Sequence, residues 1–284
     1  MAPGVLLALG AMVLLGLTDL VYKRGTAAGL QPHHFLMLQG WFFLPGVVLY
    51  GLATGTLAPA AYMLWGMAAG IFVFVALYNF ARALKIGAIS VIAPIFRLSF
   101  TVTTALALVI LAEPLTVWKL AGLAAAFLAV WLLLGTGGSA VAGQSTARPA
   151  LVHALVAMAA MGVANFLYKV GAAAGGAPAT FIAGQAMVFT PLATAFAWKV
   201  DRGIRPPAGG WRYGATTATL FIAALVMLFE SLARGEASVL VPISQMGFVV
   251  TAAAGVLLLR EPITARKGAG LAFALAALGC LAKG

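Results

Sequence analysis

One stretch of this chain occurs twice. The run Asp19-Leu20-Val21-Tyr22-Lys23-Arg24-Gly25 is answered, 146 positions later, by Asn165-Phe166-Leu167-Tyr168-Lys169-Val170-Gly171. The correspondence continues through Gly29/Gly175, Pro32/Pro178, Phe35/Phe181, Gln39/Gln185, Phe43/Phe189 and Pro45/Pro191. A second block repeats at an offset of 148: Gly87/Gly235, Ser90/Ser238, Val91/Val239, Pro94/Pro242, Glu113/Glu261, Pro114/Pro262, Thr116/Thr264 and Gly122/Gly270. The change of offset places a two-residue insertion between the blocks, in the charged stretch 199–212. Two copies of one plan fold alike, so the duplication constrains the chain before any local motif does.

Composition says what is duplicated. The chain is 63% hydrophobic and 8% charged, too few charges to cover a soluble surface. Ten apolar runs, at about 4–26, 32–53, 60–84, 88–111, 115–135, 150–173, 178–198, 211–234, 237–259 and 263–282, are long enough to cross a hydrocarbon core. They do not alternate as the strands of a membrane barrel would. The expected fold is therefore an all-α integral membrane protein of ten transmembrane helices. Two five-helix repeats, 1–135 and 149–284, are joined by a loop at 136–148. Five is odd, so the second copy enters the bilayer from the opposite side and the repeats are inverted, an arrangement that places a transporter's site at the repeat interface. The first run lacks a basic leader and a small-residue exit, and so does not read as a cleavable signal peptide. Cys280 has no second cysteine to pair with and reads as a packing residue.

The net charge of +11 does not point to nucleic acid, because the basic residues fall at the span ends, where they meet lipid headgroups. On one side stand Lys23, Arg24, Arg82, Lys85, Arg148, Lys199, Arg202, Arg205, Arg212, Arg260, Arg266 and Lys267, twelve residues. The side of the termini holds four, Lys119, Lys169, Arg234 and Lys283. The positive-inside rule then puts both termini outside the cytoplasm.

Ionisable residues inside the apolar runs mark candidate site positions. Arg97 stands nearly a turn beyond Pro94 in the fourth run, and Gln245 takes its place beyond Pro242 in the ninth. An arginine facing lipid there would cost at least about 2.5 kcal/mol, so Arg97 must face protein or water. Asp19 and Lys23 share a helical face, as a local ion pair or as cavity residues, with Asn165 at the position of Asp19. Gln39 and Gln185 lie at one depth in both copies, as a polar cavity wall or as interhelical hydrogen bonds. Tyr78, Asn79 and Trp41 extend the polar set, and Phe96, Tyr22 and Tyr168 could meet an apolar substrate group or pack. Arg82 and its counterpart Glu230 lie near span ends, Glu230 one turn before Arg234. Pro94, Pro242, Lys23, Lys169, Tyr22, Tyr168, Arg82 and Glu230 form the expected gating and hinge set. Glu113-Pro114-Leu115-Thr116 and Glu261-Pro262-Ile263-Thr264 read as structural, each glutamate suiting the positive N-terminal dipole of the helix that follows. Lys119, Arg266 and Lys267 are possible partners. His33, His34 and His153 sit at span ends with no spacing of a metal triad. There is no H-E-x-x-H, G-x-S-x-G or P-loop, so no metal, cofactor, catalysis or ATP hydrolysis is expected.

Two motifs carry a family resemblance. Gly-x-x-Ser-Val with a nearby proline opens the fourth and ninth runs, and Leu-x-Glu-Pro-x-Thr precedes the fifth and tenth. With Lys23 and Lys169 near the ends of runs one and six, the whole chain resembles the EamA-type branch of the drug/metabolite transporter superfamily. The resemblance implies alternating-access export of small metabolites, often amino acids, across a bacterial inner membrane. It looks closest to the amino-acid exporters of the family, the aromatic amino-acid exporter group among them, and the resemblance implies termini in the cytoplasm, against the charge bias. The expected partners are a small molecule and the lipid bilayer, with a functional monomer and no nucleic acid. An exporter of cationic drugs or other metabolites, and a passive channel or scaffold, stand as alternatives.

Overall fold

In a computed structural model, the structure describes residues 2–86, 89–134, 148–204, 207–250, 253–254 and 264–283. It is all-helical, with no strand among the described residues. The helices are α1 (Pro3–Ala27), α2 (Pro32–Thr54), α3 (Met63–Ile86), α4 (Ile89–Arg97), α5 (Ser99–Ile110), α6 (Val117–Leu134), α7 (Arg148–Ala173), α8 (Pro178–Asp201), α9 (Gly210–Leu232), α10 (Ala237–Gln245) and α11 (Ala265–Leu281). Six of them, α1, α2, α3, α7, α8 and α9, are long and apolar enough to cross a membrane. Expected spans four, five, nine and ten are occupied by shorter apolar helices.

The two copies repeat local structure in detail. Proline at the first helical position starts both α2 and α8, at Pro32 and Pro178, where the missing N–H would have no partner anyway. Both preceding turns use a left-handed glycine, Gly29 at φ 93° and Gly175 at φ 74°, a conformation that a Cβ penalises. Pro45 and Pro191 lie inside α2 and α8, which run on through them.

Span four, expected over 88–111 with Pro94 as a hinge, is divided at Leu98, with φ −74° and ψ 5°, into α4 and α5. Span nine breaks at the equivalent residue, Met246, with φ −79° and ψ 18°, and helix resumes at 247–250. At each break the amide tightens to the carbonyl three residues back, Leu98 N to Ile95 O at 3.1 Å and Met246 N to Ile243 O at 3.1 Å. Each break lies four residues beyond a proline, Pro94 or Pro242, which removes one ladder bond and crowds the turn before it. The Leu98 carbonyl is met by the Thr101 amide at 2.9 Å and the Thr101 hydroxyl at 2.7 Å, as an apolar medium requires.

Packing crosses between the copies. α1 packs on α9 and α10, and α7 packs on α3, α4 and α5; α2 lies on α8 and α9, and α8 on α2 and α3; α6 lies on α11. Exchanging the copies leaves this set of main pairings unchanged. Direction follows from the residues that meet. The start of α2 meets the end of α8 at His33 and Asp201, while Thr180 near the start of α8 accepts from the Ala58 amide just beyond α2, so α2 and α8 run antiparallel. Glycines set the closest approaches. A Cβ on Gly16 of α1 would lie 2.5 Å from the Gly247 carbonyl, and one on Gly162 of α7 would lie 2.7 Å from the Ser99 carbonyl. These are equivalent contacts, each just past a helix break. Gly66 and Gly70 of α3 press on α8, with built Cβ atoms 2.0 Å from Phe181 O and 2.6 Å from Gln185 O.

Gly66→Ala should therefore destabilise the protein by about 1–3 kcal/mol, because a backbone oxygen cannot move aside for the methyl. Gly279→Ala, with nothing within 4 Å, should not. Unfolding temperatures of the two variants in detergent would check this.

Candidate transport site

Two intramembrane charges meet. The Arg97 guanidinium donates to the Asp19 carboxylate in an ion pair between α4 and α1. Arg97 is the last residue of α4, next to the Leu98 break, where the helix's negative C-terminal end favours a cation. Asp19 lies just past the close approach of Gly16. Both side chains remain partly open, Arg97 21% and Asp19 26% exposed. Of the partners open to Asp19 in the sequence, Arg97 is one with which it forms an ion pair. Glu230 forms its pair locally with Arg234, one turn on.

The paired tyrosines and glutamines form one motif made twice. Tyr22 donates to Gln39 between α1 and α2, and Tyr168 donates to Gln185 between α7 and α8. Gln39 and Gln185 are buried and make the interhelical hydrogen bonds that were one of their two roles open in the sequence. Asn165, in the place of Asp19, is buried, and its Nδ2 has no hydrogen-bond partner among the described residues. Gln245, in the place of Arg97, is partly buried at the end of α10. Trp41 donates through Nε1 to Thr194 at 2.9 Å and lies beside Trp211. Asn79 bonds the Val75 carbonyl at 2.8 Å and His153 at 2.7 Å, tying α3 to α7. Tyr78 packs against Phe74 and Phe196 with Arg82 over its ring, and Phe96 stacks on Phe80.

The Glu-Pro motif acts at a different helix from the one its sequence position points to. Glu113 does not serve the N-terminus of α6, which follows it. Its carboxylate accepts from the amides of Ala237 at 2.8 Å and Ser238 at 2.9 Å, and from the Ser238 hydroxyl, at the first turn of α10. Those amides have no partner within their own helix, and an anion there also meets the positive helix end. Lys119, fully buried, pairs with Glu236 rather than Glu113 and donates to the Pro114 carbonyl at 2.6 Å. Lys169 closes the end of α9, donating to Leu232 O at 2.9 Å and Gly235 O at 2.6 Å. The turn between α9 and α10 is thus held by Glu113, Lys119 and Lys169 from three other segments. Arg266 donates to the Trp131 carbonyl at 3.1 Å. The equivalent Glu261 and Pro262, with Gly87, lie outside the described residues. Sequence reasoning missed Glu236 and the use of Lys119, although Lys119 recurs as Lys267 at the offset of the repeat.

Two of the histidines, whose spacing gave no metal triad, are brought together by the fold. His33 Nε2 lies 3.0 Å from Asp201 Oδ1, and His34 Nε2 lies 2.7 Å from Asp201 Oδ2.

The EamA-like transporter family model matches this chain twice, over residues 2–135 and 148–282. The chain belongs to the EamA-like transporter family. Its multi-pass membrane character follows from that membership and from the apolar helices. A solved structure described only as "Crystal structure of protein" shares 16% sequence identity, with a TM-score of 0.83 over 99% of this chain and 98% of the other. Likeness at that identity speaks for the fold alone. No curated protein matches. The family is one of transporters, and it accounts for a polar ion pair held in the interior of an apolar bundle.

Glu113→Ala should bare the first amides of α10 while leaving the bundle assembled, at a cost of about 1 kcal/mol, the usual worth of a cap. Hydrogen exchange at Ala237 and Ser238 should accelerate, and Glu113→Gln should recover only part of the protection.

Proposed function

We propose that this EamA-like transporter exports small zwitterions, amino acids above all, across the bacterial inner membrane by alternating access between two inverted repeats, as a monomer. The observation that carries the reading is the part-exposed ion pair Asp19–Arg97 between α1 and α4. Arginine presents paired donors that match a carboxylate, and Asp19 accepts from an ammonium group. A zwitterion entering between them gives each charge a new partner and adds no net charge to the interior. A lipophilic cation would instead leave two cations sharing one carboxylate. The proposed substrate-binding set adds Gln39, Gln185, Gln245, Asn165, Asn79 and Tyr78 as polar groups, with Phe96 and Trp41 offering apolar surface. The antiparallel course of the equivalent helices α2 and α8 supports the inverted relation. Breaks after Pro94 and Pro242 give α4 and α10 joints at which half-spans can rock, with Tyr22, Tyr168, Lys23, Lys169, Arg82 and Glu230 holding the helix ends that bound the motion.

Reconstituted protein should show counterflow of a labelled amino acid, which a passive channel does not support. Arg97→Ala should abolish that uptake in well-folded protein, and Arg97→Lys should restore part of it, because lysine keeps the charge without the paired geometry. Competition by lipophilic cations but not by amino acids would overturn the substrate assignment while leaving the transporter class intact. Asp19 is the carboxylate placed to carry a proton: if a pH gradient drives uptake, Asp19→Asn should remove the drive, and equal rates with and without the gradient would exclude proton coupling.

A further inference from the structure

The residues that close the junction of α2 and α8 differ between its two ends, and the difference is chemical. At one end Thr180 of α8 is fully buried, and its hydroxyl bonds the Ala58 amide at 3.0 Å and the Thr56 and Ala58 carbonyls at 3.1 and 3.0 Å. One neutral side chain is enough to close the junction there. At the other end the repeat places His33 and His34 where α8 has Ala179 and Thr180, and both face the carboxylate of Asp201. Packing of the duplicated plan does not call for this set.

We propose that His33, His34 and Asp201 form a binding site for a divalent transition-metal cation of the zinc class. Each offers one ligand atom, and the three atoms lie within 4.8 Å of one another. Around tetrahedral zinc at about 2.0–2.1 Å, ligand atoms sit roughly 3.3 Å apart, which small side-chain rotations reach from here. Two imidazoles and one carboxylate suit zinc, copper or nickel rather than magnesium or calcium. Facing the Asp201 carboxylate at 2.7 Å, His34 carries a ring proton on Nε2, while its Nδ1 is buried without a hydrogen-bond partner among the described residues. A metal at Nε2 would displace that proton, leaving neutral imidazole protonated at Nδ1. Asp201 supplies one negative charge, and the negative C-terminal end of α8 adds to it. The positive N-terminal end of α2 and the neighbouring Lys199 and Arg202 oppose them, so the field of the helices neither creates nor forbids the site. Asp201 is part-exposed at the end of α8, which gives an ion access from water. A bound cation would join α2 of the first repeat to α8 of the second and restrain this end of the transporter.

The test uses full-length, tag-free protein in detergent, titrated with zinc chloride by calorimetry and, separately, with cobalt to read ligand-field absorption. Saturable one-to-one zinc binding is expected, weakened about a hundredfold or more by His34→Ala or by the near-isosteric Asp201→Asn. His153→Ala, which removes the remaining histidine, should leave it unchanged. If folded wild-type protein shows neither saturable zinc binding nor cobalt bands, or if the His33→Ala/His34→Ala variant keeps the wild-type affinity, the site does not exist. Neither result bears on amino-acid counterflow, so this inference and the substrate reading stand or fall separately.

Discussion

A bundle in lipid has no water to finish its hydrogen bonds, and that constraint governs this structure. Continuous helices satisfy it internally over most of their length, and six helices here are continuous, although Pro45 and Pro191 each remove one ladder bond from α2 and α8. The two broken spans cannot. Each interruption, at Leu98 and Met246, tightens to a three-residue hydrogen bond, and each is covered by a helix that carries a glycine where backbones nearly touch. The start of α10 needs outside partners for its first amides, and Glu113 supplies them from the segment before α6. Irregular backbone thus occurs where other parts of the chain are positioned to receive it.

The same reasoning separates the charges into two kinds. Lys119, Lys169, Glu113 and Glu236 sit at helix ends and are absorbed by carbonyls, amides and one another. Their removal would be felt as loss of order around α10. Asp19 and Arg97 pair with each other instead and remain partly open. A pair of that kind is poor evidence for stability, since burying two charges costs about as much as their attraction returns. It is better placed to exchange partners with a charged substrate.

The Tyr22–Gln39 and Tyr168–Gln185 bonds show how duplication and function divide the chain. Identical residues in both copies make identical interhelical bonds. Positions where the copies diverge are chemically distinctive: Asp19 against Asn165, Arg97 against Gln245, and His33-His34 against Ala179-Thr180. Symmetry supplies the frame, and the departures from it supply a polarised interior and two unlike ends.

Much of this could be read before any coordinates. Paired prolines and glycines announced the repeat, apolar runs announced a membrane bundle, and Pro94 followed by Arg97 marked where a span would fail and a charge would need shelter. The sequence could not say which partner Asp19 takes, because Lys23, four residues away, is available on the same helix while Arg97 is 78 residues off. Nor could spacing place Glu113 on α10, 124 residues downstream, or gather His33, His34 and Asp201 across 168 positions. Periodicity and local motifs report on a helix and its neighbours in the chain. Which helix ends meet is decided by packing between the two copies, and that depends on the whole fold.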